Sequence, residues 1–500
     1  MKKLSIAVLL ALVFGISSCN NADKSNNVNE SKSITQFGIT WTFDKEYPVG
    51  KFANGDYWVV GPVKVVSVSP GPQQADSINE NIRITFVKND HNQYGDTDVR
   101  DDRRMRNGSM VNPVWSKKHG YDSGSATYDE SLSIKFPYNL KANESLVSTV
   151  SNTSMPNELL LPMGNQISKS VLNTAAILTC LEKAPEELSF RPSYAGSTKK
   201  THTVNEINWD KLPSLEPVEA TPTIAEVSRY VERPWLDHVD SWMSRSTAPT
   251  ANMSDYGREY VRMVSLVSMR LMLNDSKEDK KELLYRFIQL GIDLQGIRET
   301  GAKWHWGGGL ASGRKWPIMF AGIMLNDKEM QTFSSESAFH EDQQTYYGKG
   351  WTGETALWQM IQHHGLAPLF EEMHPSEWTK ENKGALAHGY RVCCNGTAWG
   401  GEALSALLMN AKQMWNHDAF FDYTDRYMSE TPDKYIEAGL KVSEKYRKEL
   451  WTRNVDVFVD NMWRKYRTTV AKQPGAVENK KWLPLERKWV IDNGLDKVKK

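Results

Sequence analysis

The spacing of apolar and polar positions changes period once along the chain. Between Phe37 and about Lys183 the apolar side chains come in short alternating runs: Ile39-Thr40-Trp41-Thr42-Phe43, Tyr57 to Val60, Val63 to Val68, Ser131 to Phe136 and Leu146 to Val150. A period of two in β-branched and aromatic residues, broken by Gly, Pro and Asn, is the pattern of half-buried strands, and it predicts a β-rich module over 36–183. Prolines at 185, 192, 213, 217 and 222 then interrupt a stretch with little periodicity, so 184–222 reads as a linker wrapping between domains. From Thr223 the period becomes helical. Tyr256, Tyr260, Met263, Val264, Val267 and Leu271 fall on one helix face, as do Leu283, Leu284, Phe287, Leu290, Ile292 and Leu294. Further helices are predicted at 317–326, 353–364, 398–414, 417–428, 433–448 and 455–467. Helix after helix with few strands predicts antiparallel hairpins. The fold class expected is therefore mainly α: an (α/α) toroid over 223–500 carrying an N-terminal β-rich module.

The first residues follow a different logic. Lys2 and Lys3 precede an apolar run from Leu4 to Phe14, too short to span a bilayer, and Ile16-Ser17-Ser18-Cys19 closes it. This order reads as a lipoprotein signal over 1–19, with Cys19 taking lipid chains, followed by a polar tether over 20–35 that has too few apolar side chains to bury. The expectation is an exported protein, lipid-anchored to the outer membrane on its periplasmic or surface face.

Composition narrows the partners. Lys plus Arg and Asp plus Glu both number 61, which argues against nucleic acid held by bulk charge and requires a local cluster for any acidic ligand. The cysteines left after Cys19 are Cys180, Cys393 and Cys394; one disulfide from Cys180 to the vicinal pair and buried free thiols are both open. No cysteine or histidine spacing has a metal-ligand form, so neither metal nor cofactor is expected. Eighteen tryptophans and nineteen tyrosines supply apolar faces with polar edges, suited to stacking on sugar rings, although most would be core in a large helical domain.

Two loops collect chemistry. Gly301 to Pro317 holds Trp304, His305, Trp306, Arg314 and Lys315 among glycines, and places the basic pair at a helix entrance, where an anion is favoured. Phe339 to Trp351 packs His340, Glu341, Asp342, two glutamines, Tyr346 and Tyr347 into a short stretch ending at Trp351. A third segment, His388 to Thr397, offers Tyr390 and Arg391 either as a base and a carboxylate clamp or as structure.

The lipobox, the opening Phe37 to Phe43 with Phe52 to Pro62, the Gly313-Arg314-Lys315-Trp316-Pro317 turn and the Tyr390-Arg391 and Trp415–Asp425 segments together resemble exported bacterial (α/α)-toroid polysaccharide lyases of the alginate and glucuronan type. Leu310 stands where a histidine is expected in such relatives. The resemblance implies β-elimination on an acidic, uronate-containing polysaccharide. That reaction needs the carboxylate neutralised, a base at the ring proton and an acid at the leaving oxygen. Tyr346 or Tyr347 is then base, acid or both, His305 or His340 assists or takes the base role, Arg314 and Lys315 neutralise the carboxylate and Glu341 orients the histidine or cation. Trp304, Trp306, Trp351, Tyr390 and Arg391 bind substrate. A glycoside hydrolase with paired carboxylates among Glu299, Glu341, Asp342 and Glu354, and a glycan-binding lipoprotein without catalysis, are the alternatives.

Overall fold

A computed structural model describes residues 29–74, 105–125, 127–152, 170–253, 257–304, 309–334, 339–360, 369–379, 383–430 and 455–476. Cys19, His305, Trp306 and the helix predicted at 433–448 lie outside these residues.

The alternating run at the start of the module forms β2 (Ile39–Lys51), whose Ile39, Trp41 and Phe43 are buried on one face while Thr40 and Thr42 are half-buried on the other. Around it the remaining strands build one curled sheet. β1 (Asn29–Gln36) reaches back into the stretch read as tether and pairs antiparallel with β2. The path of the sheet places β7 (Ser109–Val111) beside β9 (Ser145–Ser151), then β10 (Leu172–Leu181), β3 (Tyr57–Val60), β2, β4 (Val63–Ser69) and β8 (Tyr138–Leu140). Only β10 and β3 run parallel; the other neighbours are antiparallel. The remaining strands are short: β5 (Gln73–Gln74) pairs with β6 (Met105–Arg106), and β11 (Thr345–Tyr347) with β12 (Ala356–Trp358).

β10 explains how sheet and helices join. Ala176, Leu178 and Cys180 pack inside the curl with Trp41, Phe43 and Val65. Ala175 and Ile177 face the other way, into the core made by the helices. A strand covered on both faces needs no polar alternation, hence its continuous apolar run.

The helices are α1 (Ile224–Ser228), α2 (Arg258–Leu271), α3 (Lys277–Glu299), α4 (Lys315–Met324), α5 (His340–Gln344), α6 (Gly384–Tyr390), α7 (Gly396–Leu408), α8 (Lys412–Trp415), α9 (Asp418–Ser429) and α10 (Val457–Tyr466). Ser276 caps α3 by accepting the Asp279 N–H at 3.1 Å. α2 is buried from Glu259 to Leu271 and runs through the core. Small residues let it approach α7: a side chain at Gly401 would strike Ser265, and Ser268 and Ser405 hydroxyls meet at 3.0 Å. α3 and α4 touch in the same way, with Gly291 against the Pro317 carbonyl and the Phe287 and Phe320 rings 4.9 Å apart. No helix among the described residues is long and apolar enough to cross a membrane.

These elements overturn the expected toroid. The protein is 38% helical and 21% strand, with a curled mixed sheet of seven to eight strands, so the mainly-α class is corrected to a mixed one. The physical reason is that sheet and helices share one core, through β10, where a toroid needs helices packed against helices around a ring. Two local expectations also change. Residues 353–364 contribute the strand β12, because Ala356, Leu357 and Trp358 are all buried and pair with β11. Ser131 to Phe136 gives a 3₁₀ turn at Glu130–Leu132, closed by the Asp129 side chain on the Ser131 N–H.

The Pro-rich stretch 184–222 carries Arg191, which makes a buried polar bond between the two halves. Its guanidinium is buried and reaches Asp56, in the β2–β3 turn, at 2.6 Å and both oxygens of Asp293, on α3, at 2.9 and 2.6 Å.

Candidate acid–base site

Three loop segments converge at the entrances of α4 and α7. Gly309, at φ +108°, lies so close to the Cys394 carbonyl that a side chain there would overlap it. Gly313, at φ +89°, packs on Val261 and turns its N–H to a Glu341 carboxylate oxygen. His340 Nε2 and Asn395 Oδ1 are 2.9 Å apart, and the Trp399 indole N–H donates to Ser312 Oγ at 3.1 Å. The first loop thus touches the second at Glu341 and the third at Cys394, while the second and third meet at His340.

Inside this junction lies a cluster of charge removed from water. Lys315 donates to Asp342 Oδ2 at 2.5 Å and to the Trp415 carbonyl at 2.6 Å, and the Trp415 indole N–H donates to Asp342 Oδ1 at 2.8 Å. Thr345 Oγ1 donates to the Glu341 carbonyl at 2.8 Å, and His417 Nε2 donates to the Thr345 carbonyl at 2.9 Å. Glu341 and Glu402 are both fully buried. Among the described residues, Glu341 Oε2 and both Glu402 oxygens lack a side-chain hydrogen-bond partner. Burial is the largest cause that pushes the Glu341 carboxyl up to about 7, against the pull of the Gly313 N–H. Burial, then Glu341 and Asp342 nearby, push Glu402 well above the carboxylate range. Burial likewise lowers Lys315 and His417. A carboxyl whose proton affinity lies near neutrality is suited to both giving and taking a proton.

The other expected site residues divide by burial. Arg314 is buried, forked onto Asp237 with two bonds of 2.9 Å, bonded to the Leu310 and Ser312 carbonyls at 2.7 Å, and set 3.6 Å over the Tyr260 ring. Arg314 and Lys315 were expected to meet a substrate carboxylate, but both are matched here by internal carboxylates. Arg391 is buried with Glu371 at 3.0 Å and Glu430 beside it, near the rings of Tyr423 and Tyr427. Trp304 is buried, stacked on Phe339 with centroids 5.7 Å apart. Tyr346 is buried in β11. Tyr347 is 40% exposed and donates to Asp422 Oδ2 at 2.5 Å, with Lys412 3.3 Å from the other oxygen. Burial and then Asp422 raise the Tyr347 phenol, so it holds its proton and suits an acid rather than a base. Trp351, edge-on to His374 at 5.2 Å, and Tyr390 are half-buried.

Two features escaped the sequence. Glu402 sits in the apolar helix α7 between Gly401 and Ala403, where its only signal was a lone acid in a run with no other charge. Cys393 and Cys394 are bonded to each other within a π-turn over Arg391–Asn395, and Cys180 is a buried free thiol, so no bridge joins Cys180 to the pair.

No family model, no curated protein and no solved structure matches the chain. The resemblance to toroid lyases is therefore corrected: the mixed fold lacks the helical ring, and no relative supports membership of a lyase family.

Proposed function

We propose that the chain is an exported enzyme that cleaves a uronate-containing polysaccharide by β-elimination, with Glu341 as the base. One observation carries this reading: Glu341 is buried where three loops meet and has an oxygen without a partner among the described residues, and that burial pushes its carboxyl up to about 7. In the reaction the Glu341 carboxylate takes the proton from the carbon beside the uronate carboxylate. The electron pair left behind forms a carbon–carbon double bond, the glycosidic C–O bond breaks, and the leaving oxygen gains a proton. Tyr347, whose phenol keeps its proton, is the donor assigned to that oxygen. Lys412 stands beside the Tyr347–Asp422 pair and replaces Arg314 and Lys315 as the cation offered to the substrate carboxylate. Trp351 and Tyr390 keep partly open faces for stacking on sugar rings. The leader-like pattern of residues 1–19 supports export and lipid anchoring at Cys19.

The test is a panel of acidic polysaccharides, alginate and glucuronan among them, assayed for the ultraviolet absorbance of an unsaturated uronate. Wild type raises it, and Glu341→Gln lowers kcat by roughly 100-fold or more, the scale of a lost general base. A flat trace on every polymer refutes β-elimination. Glycoside hydrolysis is the second reading, favoured by Asp342, paired with Lys315, lying beside the proton-binding Glu341 and Glu402. New reducing ends without ultraviolet absorbance would select it.

A further inference from the structure

We propose that Glu341 and Glu402 form a carboxyl pair that shares a proton at neutral pH, with Glu402 as the positioning residue that keeps Glu341 able to exchange it. The inference deepens the acid–base reading of the same site, but its first test needs no substrate.

It begins with a count of charge. Glu341 and Asp342 come from α5, Glu402 from α7 and Lys315 from α4, and each is at most 2% exposed. Lys315 is committed to Asp342 at 2.5 Å and to the Trp415 carbonyl. His417, which faces the cluster from the entrance of α9, spends Nε2 on Thr345, and burial keeps its ring neutral. His340 is turned to Asn395. Where α2 crosses α7 the facing residues are serines, Ser265 and Ser268, which do not titrate. Among the described residues, three carboxyl groups therefore have one ammonium between them. Fully ionised, the cluster would hold two uncompensated negative charges out of water, an arrangement proteins avoid by binding protons.

The hydrogen bonds say where the proton resides. Asp342 receives Lys315 and the Trp415 indole and is well served as an anion. Glu341 has one oxygen on the Gly313 N–H and the other without a partner. Glu402 has no partner at either oxygen beyond a weak pull from the Trp316 backbone. Glu402 is thus the poorest anion of the three and Glu341 the intermediate one. While Glu402 stays protonated, Glu341 can be a carboxylate without a second charge beside it. Ionising Glu402 makes Glu341 harder to ionise. During elimination Glu341 takes the proton from the sugar carbon while Tyr347 protonates the leaving oxygen, and afterwards Glu341 gives its proton up to solvent as the Tyr347 phenolate regains one, so the pair ends the cycle with the proton it started with.

Infrared difference spectroscopy of the intact protein, titrated between pH 4 and 9, reads protonated buried carboxylic acids by their C=O stretch. Wild type is expected to keep such a band at neutral pH, and Glu402→Gln to lose its high-pH component. Glu402 is still neutral where Glu341 titrates, so that variant leaves the Glu341 midpoint in place; in Glu341→Gln, which removes the charge beside which Glu402 must ionise, the Glu402 midpoint falls by about one unit or more. Glu341→Gln removes the other component and confirms the assignment. Glu402→Gln matches the protonated form in shape and keeps the fold, and thermal unfolding of each variant checks this. That fall of the Glu402 midpoint is a coupling that a mere packing role for Glu402 does not produce. Absence of a protonated band at neutral pH, or a Glu402 midpoint unmoved in folded Glu341→Gln, overturns the proposal. A band that behaves as expected in a protein inert on every polysaccharide leaves the proton pair standing and removes only the reaction.

Discussion

Arg191→Met tests what holds the sheet to the helices. Arg191 is about 1% exposed and is matched by Asp56 at 2.6 Å and by both Asp293 oxygens, so removing it strands two carboxylates in the core. Deleting one partner of a buried ion pair costs about 3–5 kcal/mol, mainly because the other partner is left charged and dry. With an unfolding entropy of about 2 cal/mol/K per residue, a chain of 500 residues has an unfolding entropy near 1 kcal/mol/K, so that loss lowers Tm by roughly 3–5 °C. Met fills much of the volume of Arg, so the deficit should be electrostatic and should depend on pH. Burial already raises the Asp293 carboxyl against the pull of Arg191. Without that pull it rises further, and protonation as the pH falls relieves the stranded charge. Urea unfolding of wild type and Arg191→Met at pH 7.5 and 4.5 decides the matter. A deficit that shrinks by half or more at the lower pH, and is partly repaired at pH 7.5 by adding Asp56→Asn and Asp293→Asn, is the expected outcome. An equal deficit at both pH values refutes the charge argument and leaves lost packing as the cause.

Three further outcomes follow from the same contacts. His119, His238 and His388 are buried, and desolvation lowers each to about 3. The unfolded chain then binds more protons below the ordinary imidazole value of about 6.5, so stability is full above that pH and lost as pH falls towards 3, at about 1.4 kcal/mol per unit per histidine; urea midpoints between pH 7 and 5 that do not fall would contradict this. Gly309→Ala puts a side chain at φ +108° into the Cys394 carbonyl and should cost about 1–3 kcal/mol, whereas Gly353→Ala, at φ +85° but with open space around it, should cost less; paired melting curves compare them. Tyr347→Phe removes only the bond to Asp422 from a 40% exposed side chain, so Tm should move little while kcat falls by about 100-fold if the phenol is the proton donor; unchanged turnover on a cleaved polymer removes Tyr347 from the reaction.

Period carried the sheet into view, and depth hid the site. β2, β3, β4 and β9 were readable because their apolar faces alternate, and α2, α3, α9 and α10 because theirs recur at helical spacing. What misled was β10: it lies between the sheet's interior and the helices, so it ties the two regions into one core, and no local period reports a shared core. The 18 tryptophans mislead in a related way, since Trp41, Trp316, Trp358, Trp399 and Trp415 are fully buried and do structural duty.

The loops themselves were identifiable, since mixed His, Glu, Tyr, Arg and Gly is not a packing composition, and 309–317, 339–347 and 391–397 do converge. Which charges face a ligand was not, because sequence gives a side chain's charge but not its partner. Arg314 and Lys315 look like an anion site beside a helix entrance until Asp237 and Asp342, remote in sequence, are seen to hold them. Glu402 looks like a stray acid in an apolar helix until Glu341 is placed in the same dry junction. The same burial that makes the basic pair unavailable leaves Glu341 and Glu402 without water or counter-ion, and that is what brings a carboxyl into the pH range where it can exchange protons. A site built this way depends on Lys315 being committed to Asp342, which leaves Glu341 and Glu402 no cation of their own among the described residues.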